Sequence, residues 1–287
     1  MKKGILLVVV VLFGFSMAFA LAWDEIVEKA NNGDAESMRE LGAQYYHGKN
    51  VTQDMNEAFK WFLKSAENGS AGGQAATSYL YEEGIGVAQD SSKAFYWLKK
   101  SAENGMAESF TDLAYKYYSG YGCEVDFEQA AYWYKMGAAN GETAAEHSLA
   151  YLYMEGKGVE KNADQAIYWF KKSAAKGRRG SYLHLAKLIY EGRKVTDYWL
   201  AHKYLKILAE EDNSDEAQYY LGLMYVDGLG VSADAYEGFK WIQKSANQEN
   251  IDAIRLAICI KTGSESKKIQ QEPMNGMTKL RNSSGAG

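Results

Sequence analysis

The chain repeats itself every 36 residues. The stretch "YLYEEGIGVAQDSSKAFYWLKKSAENG" at 79–105 returns as "YLYMEGKGVEKNADQAIYWFKKSAAKG" at 151–177 without a gap. Trp61, Trp97, Trp133 and Trp169 keep the same step, and Gly48, Gly84, Gly120, Gly156, Gly192 and Gly228 carry it across six units. Ala66, Ala102, Ala138 and Ala174 follow it too, each trailed three residues later by Gly69, Gly105, Gly141 and Gly177. The fifth unit loses one residue after Val195, which places Tyr204 in the Trp slot, and regains one before Asp215. A fixed period of this length marks a stack of small supersecondary units, none of which can bury its apolar face alone.

Each unit reads as helix, glycine loop, helix. Pro occurs once in 287 residues, and since Pro costs about 3 kcal/mol in a helix interior its scarcity fits a nearly all-helical chain. In the second unit Tyr79, Leu80 and Tyr81 close a first helix that Gly84 and Gly86 break, because glycine accepts the left-handed backbone that follows a helix. Asp90 then reads as the N-cap of the second helix, with Asp54, Asp126, Asn162 and Asp234 in the same slot elsewhere. Glu57, Gln129, Gln165 and Glu237 stand three residues further on, the layout of a capping box that Lys93 breaks. Ala94, Trp97 and Ala102 form an apolar stripe on the second helix, Lys99 and Lys100 face water, and the Trp is expected to fill the space between units.

The pattern resembles the Sel1-like repeat, a relative of the tetratricopeptide repeat with a longer, glycine-marked loop between its helices. The resemblance rests on Leu41-Gly42, Tyr45, Gly48, Ala58, Trp61 and Ala66 in the first unit. In the fourth it rests on Leu149-Ala150, Tyr153, Gly156, Gly158-Val159, Ala166, Trp169 and Ala174. It covers about 35–250, with departures at Thr77-Ser78, Ile189 and Gly238. The fold it implies is an all-α, α/α superhelical solenoid of about six helix-loop-helix repeats. Residues 23–34 make an N-terminal capping half-repeat, 35–250 the six repeats, 251–262 a C-terminal capping helix, and 263–287 a polar tail with a short helix at Lys267–Gln271. By the same resemblance, certain first-helix positions line a concave partner-binding face. These are Arg39, Tyr46, Tyr79, Tyr115, Tyr118, His147, Tyr151, Lys187, Tyr190 and Tyr219. Tyrosine suits such a face, but its apolar body and polar tip suit packing between helices equally, so both roles stay open.

Before Trp23 the sequence has Lys2 and Lys3, an apolar run, and small residues at Ala18, Ala20 and Ala22. That layout is a secretory signal over 1–22 with cleavage after residue 20 or 22, although the uncharged stretch is also long enough to span a bilayer as a retained anchor. Either reading exports the repeats, to the periplasm or beyond. Without those two lysines the chain has 30 Lys+Arg against 37 Asp+Glu. A mildly acidic protein lacks the basic face that nucleic acid requires. Cys123 and Cys259 are far apart in an array, and Cys123 stands where Val87 and Val159 stand, so both read as buried thiols.

No motif carries chemistry. "KTGSESK" at 261–267 holds a K-T-G and an S-x-x-K, both known from serine β-lactamases, yet they abut, in the wrong order, in a chain without strands. His47, His147, His184 and His202 occupy unrelated slots with no metal-ligand spacing. The sequence therefore points to an exported, monomeric scaffold that binds a protein or peptide partner, with no catalytic residues, metal or cofactor. A cell-wall-related enzyme, or a protein binding a β-lactam or peptidoglycan fragment, is the alternative.

Overall fold

The computed structural model describes residues 23–192 and 197–262, with side chains to Ile260. The signal at 1–22, the tail at 263–287, its short helix and most of the K-T-G segment lie outside the described residues. Fourteen helices and no strand are found among the described residues. They form two compact units, one ending at Asn162 and one beginning at Ala163. The first holds α1 (23–31), α2 (Ala35–His47), α3 (Met55–Glu67), α4 (Ala71–Glu83), α5 (Ser91–Glu103), α6 (Glu108–Ser119), α7 (Phe127–Ala139) and α8 (Thr143–Glu155). The second holds α9 (Ala163–Ala175), α10 (Arg179–Gly192), α11 (Tyr198–Glu210), α12 (Asp215–Asp227), α13 (Ala235–Ala246) and α14 (Ile251–Thr262). Within each unit successive helices pack as antiparallel neighbours, and α2 also meets α4 while α10 meets α12, which is the contact pattern of an all-α repeat stack.

The loop between the helices of a repeat is built from backbone groups. Gly84 has φ 69° and its N–H donates to the Leu80 carbonyl, closing α4. Asp90 then accepts from the Lys93 N–H at 2.9 Å to open α5. Asp54, Asp126 and Asp234 cap their helices in the same way. The second half of the expected capping box does not form. The Asp54, Asp90, Asp126 and Asp234 N–H groups already donate to Tyr45, Tyr81, Tyr117 and Tyr225 carbonyls nine residues back. Glu57 and Glu237 turn instead to Lys60 and Lys240, 2.9 Å away in each case. The fifth repeat departs from the glycine rule: Gly192 is the last residue of α10 and its φ is not left-handed.

Repeats meet through the second loop glycine, which does more than break a helix. Gly86 has φ 68°, and a Cβ there would collide with the Met55 carbonyl oxygen at the start of α3. Gly122, Gly158 and Gly230 lie against Ser91, Phe127 and Tyr198 in the same manner. In these four repeats the second loop glycine is thus the point where one repeat rests on the helix start of the one before.

The core corrects the reading of the tryptophans. Trp61, Trp97 and Trp169 are only half-buried. The residue after each one fills the interior: Phe62, Leu98 and Phe170, with Tyr134, Leu205 and Ile242 in register, all buried. A 100° step per residue separates these neighbours on the helix, so the Trp lies at the edge of the seam and its successor at the centre. Small residues surround that centre, with Ala58, Ala94, Ala130 and Ala166 fully buried. Ser65, Ser101 and Ser245 are also buried, and their hydroxyls donate to the Ala35, Ala71 and Asp215 carbonyls that begin the first helix of the same repeat. At the N-terminus α1 packs Ala30 against Met38 and Leu41, with Trp23, Ile26 and Val27 around them, and at the other end α14 buries Ala253.

Candidate functional site

The ten candidate residues divide by unit. In the first unit Tyr79 and Tyr115 are 50% and 59% exposed, as are the second-helix rings of Tyr96 and Tyr132 at 51% and 52%. They occupy the same position on α4 and α6, and Tyr151 holds it on α8, half-buried. Tyr46 on α2 is half-buried and its hydroxyl is hydrogen-bonded to that of Tyr79, which raises the Tyr79 phenol above its ordinary value. Tyr118, one turn beyond Tyr115, lies 5.4 Å edge-on from Phe127. The Lys157 ammonium stands 3.4 Å from the Tyr118 hydroxyl and 5.7 Å from the Tyr151 ring. First helices therefore present a row of phenols that crosses successive repeats. Arg39 is paired with Glu36 at 2.7 Å and its stem lies against Gly72, and His147 is half-buried on α8.

A charged cluster sits in the same row and was not foreseen. Lys116 occupies the core position that Leu80, Leu152 and Met224 fill in other repeats, and it is only 5% exposed. It is ion-paired with Glu82 of the preceding repeat and lies 4.3 Å from the Tyr121 ring centre. Asp112, one turn before Lys116, has its carboxyl raised by desolvation, with Lys116 opposing and Glu82 adding to the shift. Tyr134 sits beneath: burial, with Tyr118, Tyr115 and Asp112 adding and the Ser148 hydroxyl opposing, pushes its phenol up to about 12. The sequence did carry a signal for this cluster, namely a lysine at an apolar step of the 36-residue register. Lys157, between the two glycines of its loop, carried none.

In the second unit the candidates are consumed by packing. Tyr190 and Tyr219 are buried, which corrects their assignment to an open face. Tyr190 donates to Asp227 at 2.8 Å and meets the Tyr220 ring edge-on at 5.7 Å. Tyr219 is raised to about 12 by burial and then by Asp252 on the capping helix. Lys187 is ion-paired with Glu216 and lies 5.4 Å from the Tyr220 ring.

Among the described residues no group of three His, Cys, Asp or Glu side chains is placed to hold a metal ion. His184 stacks on Phe170 and His202 meets Tyr225 edge-on. Cys123 and Cys259 are free thiols, and burial pushes that of Cys123 up. No described helix is long and apolar enough to cross a membrane.

The architecture is that of an all-α helical-repeat protein in which exposed tyrosines recur on first helices, at Tyr79 and Tyr115, and on second helices, at Tyr96, Tyr132 and Tyr168. The Sel1 repeat family model matches residues 35–70, 71–106, 111–142, 143–177 and 215–250, and the chain belongs to the Sel1 repeat family. The fifth hairpin, α10 and α11, falls outside those matches, in keeping with its altered loop. The solved structures that share the fold include two Sel1-type proteins. One is a protective antigen present in uropathogenic Escherichia coli strains displaying an SLR fold, with 28% identity and a TM-score of 0.61. The match covers 91% of this chain and 56% of the antigen, so the chain spans little more than half that protein's length. The other is a Sel1 repeat protein from Oxalobacter formigenes, with 27% identity, a TM-score of 0.58, and coverage of 76% and 88% of the two chains. Comparison with curated proteins gives no match. Sel1 repeat proteins are generally non-enzymatic scaffolds that mediate protein–protein interactions.

Proposed function

We propose that this protein is an exported scaffold that holds an extended segment of a protein partner across the first-helix tyrosines of its first unit. The observation that carries the reading is the pair of exposed rings, Tyr79 and Tyr115, at one register position on successive repeats. Packed helices stand about 8–10 Å apart, so neighbouring rungs meet successive parts of an extended chain. Rigid aromatic rings with a polar tip give contact area at low entropic cost. The face is concave in this reading, as in tetratricopeptide repeats. Lys157 and the Glu82–Lys116 pair supply the polar contacts that set direction along it. Export rests on the layout of residues 1–22, and the antigenic character of the Escherichia coli relative supports it.

The test is a triple substitution, Tyr79→Ala, Tyr115→Ala and Tyr151→Ala, compared with the parent for melting and for capture of the partner recovered from envelope extract. Lost capture with little change in melting supports the reading. A large fall in melting temperature with normal capture makes the row a packing feature. Turnover of a chromogenic β-lactam that disappears in Ser264→Ala replaces the scaffold reading with an enzymatic one.

A further inference from the structure

The third repeat differs from its neighbours on a second surface, remote from the tyrosine row in register. A cleft of about 420 Å³ opens between the end of α5, the start of α6 and α7, lined chiefly by Glu103, Phe110, Tyr132, Trp133 and Met136. Three substitutions in the repeat pattern coincide there. Phe110 stands where Gln74 and Gln218 stand in other repeats, so it cannot make the side-chain bonds those glutamines make to the Ala66 and Ala209 carbonyls. Trp133 is 7% exposed, deeper than Trp61, Trp97 and Trp169 at the same step, and tilts against Phe110 with ring centres 5.6 Å apart. Met136 stands where Lys64, Lys172 and Lys244 place an ammonium over the Trp of their own repeats, at 4.1, 4.9 and 4.9 Å. In the second repeat the corresponding Lys100 leans instead to Glu103 at 3.7 Å.

Two polar groups of the residues that line the cleft are unpartnered or loosely paired. The buried Trp133 indole N–H meets no acceptor among the described residues, and a buried unpaired donor is costly enough to call for an explanation. The Glu103 carboxylate at the rim has only loose, exposed lysine pairs at 3.7 and 3.9 Å, of a kind that holds a charge weakly. We infer that this cleft binds a basic side chain, lysine or arginine, from a partner polypeptide. The cation lies against the exposed Tyr132 ring and the rim of Trp133 beside Glu103, in the place of the ammonium that Met136 removed. Aromatic faces attract such cations, and a nearby carboxylate strengthens the preference. This surface is built by the second helices α5 and α7 together with Phe110 of the first helix α6, and Tyr79, Tyr115 and Tyr151 do not line it.

The test uses three small probes on the intact chain: the N-acetyl N-methylamides of arginine, lysine and norleucine. The readout is the Trp133 indole N–H resonance, assigned by its disappearance in Trp133→Phe. The cationic probes shift that resonance in a saturable manner and bind roughly tenfold more tightly than norleucine, the scale of a desolvated cation–aromatic contact. Glu103→Gln weakens them, and Met136→Lys, at an exposed position that tolerates lysine in other repeats, abolishes binding by filling the site from within. Equal binding of norleucine overturns the inference, as does no shift with any probe, or undiminished binding in Met136→Lys. The tyrosine triple variant leaves these shifts unchanged, which separates this site from the partner face.

Discussion

Tyr134 and Tyr219 tie burial to a measurable titration. Each phenol has a folded value near 12 against about 10 in an unfolded chain. Between those values the folded protein holds the extra proton. The stabilisation is therefore complete below pH 10 and is lost as pH rises through 12, at about 1.4 kcal/mol per phenol for each pH unit of the gap. Tyrosinate absorbance is expected to rise in two stages, most phenols first and the buried ones only as the protein unfolds. Tyr134→Phe removes one late phenol and reduces the alkaline sensitivity; a single stage near pH 10 contradicts the burial argument. At the same scale Phe170, fully buried, and Trp97, half-buried, are set to behave differently. Phe170→Ala should cost about 3–5 kcal/mol by emptying a core site, and Trp97→Ala markedly less. Chemical denaturation of the two variants ranks them, and equal losses would restore the tryptophan to the centre of the seam.

Helices in this protein start and stop through side chains and glycines that also join one element to the next. Asp54, Asp90, Asp126 and Asp234 accept from helix-opening N–H groups while their own N–H groups hold the preceding helix. Asp90→Ala should cost about 1 kcal/mol, the usual loss of a cap, whereas Asp90→Asn should cost little. Gly86→Ala tests the other joint. It meets the Met55 carbonyl oxygen in a left-handed conformation, so it is expected to lower the melting temperature more than Gly105→Ala, where a Cβ meets nothing within 4 Å. Lys116 poses the reverse case, a charge in an apolar slot. Lys116→Leu combined with Glu82→Gln should leave stability unchanged or raise it, because a packed hydrophobe often matches or exceeds a buried ion pair. If the row binds a partner as proposed, the same double variant binds it less well.

Contacts run between consecutive helices within each unit, with α2 also meeting α4 and α10 meeting α12. Stability in such an array is close to a sum of repeat and nearest-neighbour terms. A cavity at Leu98 should therefore raise hydrogen exchange in α4, α5 and α6 well before it affects α12 and α13. Uniform loss of protection over all helices would show instead that the chain unfolds as one body. The repeat also explains why the fold was open to inference at once. Six copies of one pattern average out the local ambiguity that obscures a single helix, and the loop glycines and cap aspartates recur at fixed steps.

The 36-residue period, the helix-loop-helix unit and the positions of its caps were determined by the sequence alone, because they depend on local backbone preferences and on periodicity. Which side chain enters the core, Trp97 or Leu98, depends on the direction in which α4 and α6 press on α5, and one residue of rotation decides it. The fate of Tyr190 and Tyr219 likewise depended on what the next repeat and α14 place over them, whereas Tyr79 and Tyr115 kept half their surface because nothing covers them. Tyrosines on successive first helices thus became core, rim or open face according to their neighbours in space. Burial is a property of the packed pair, and only the tertiary structure supplies the second member.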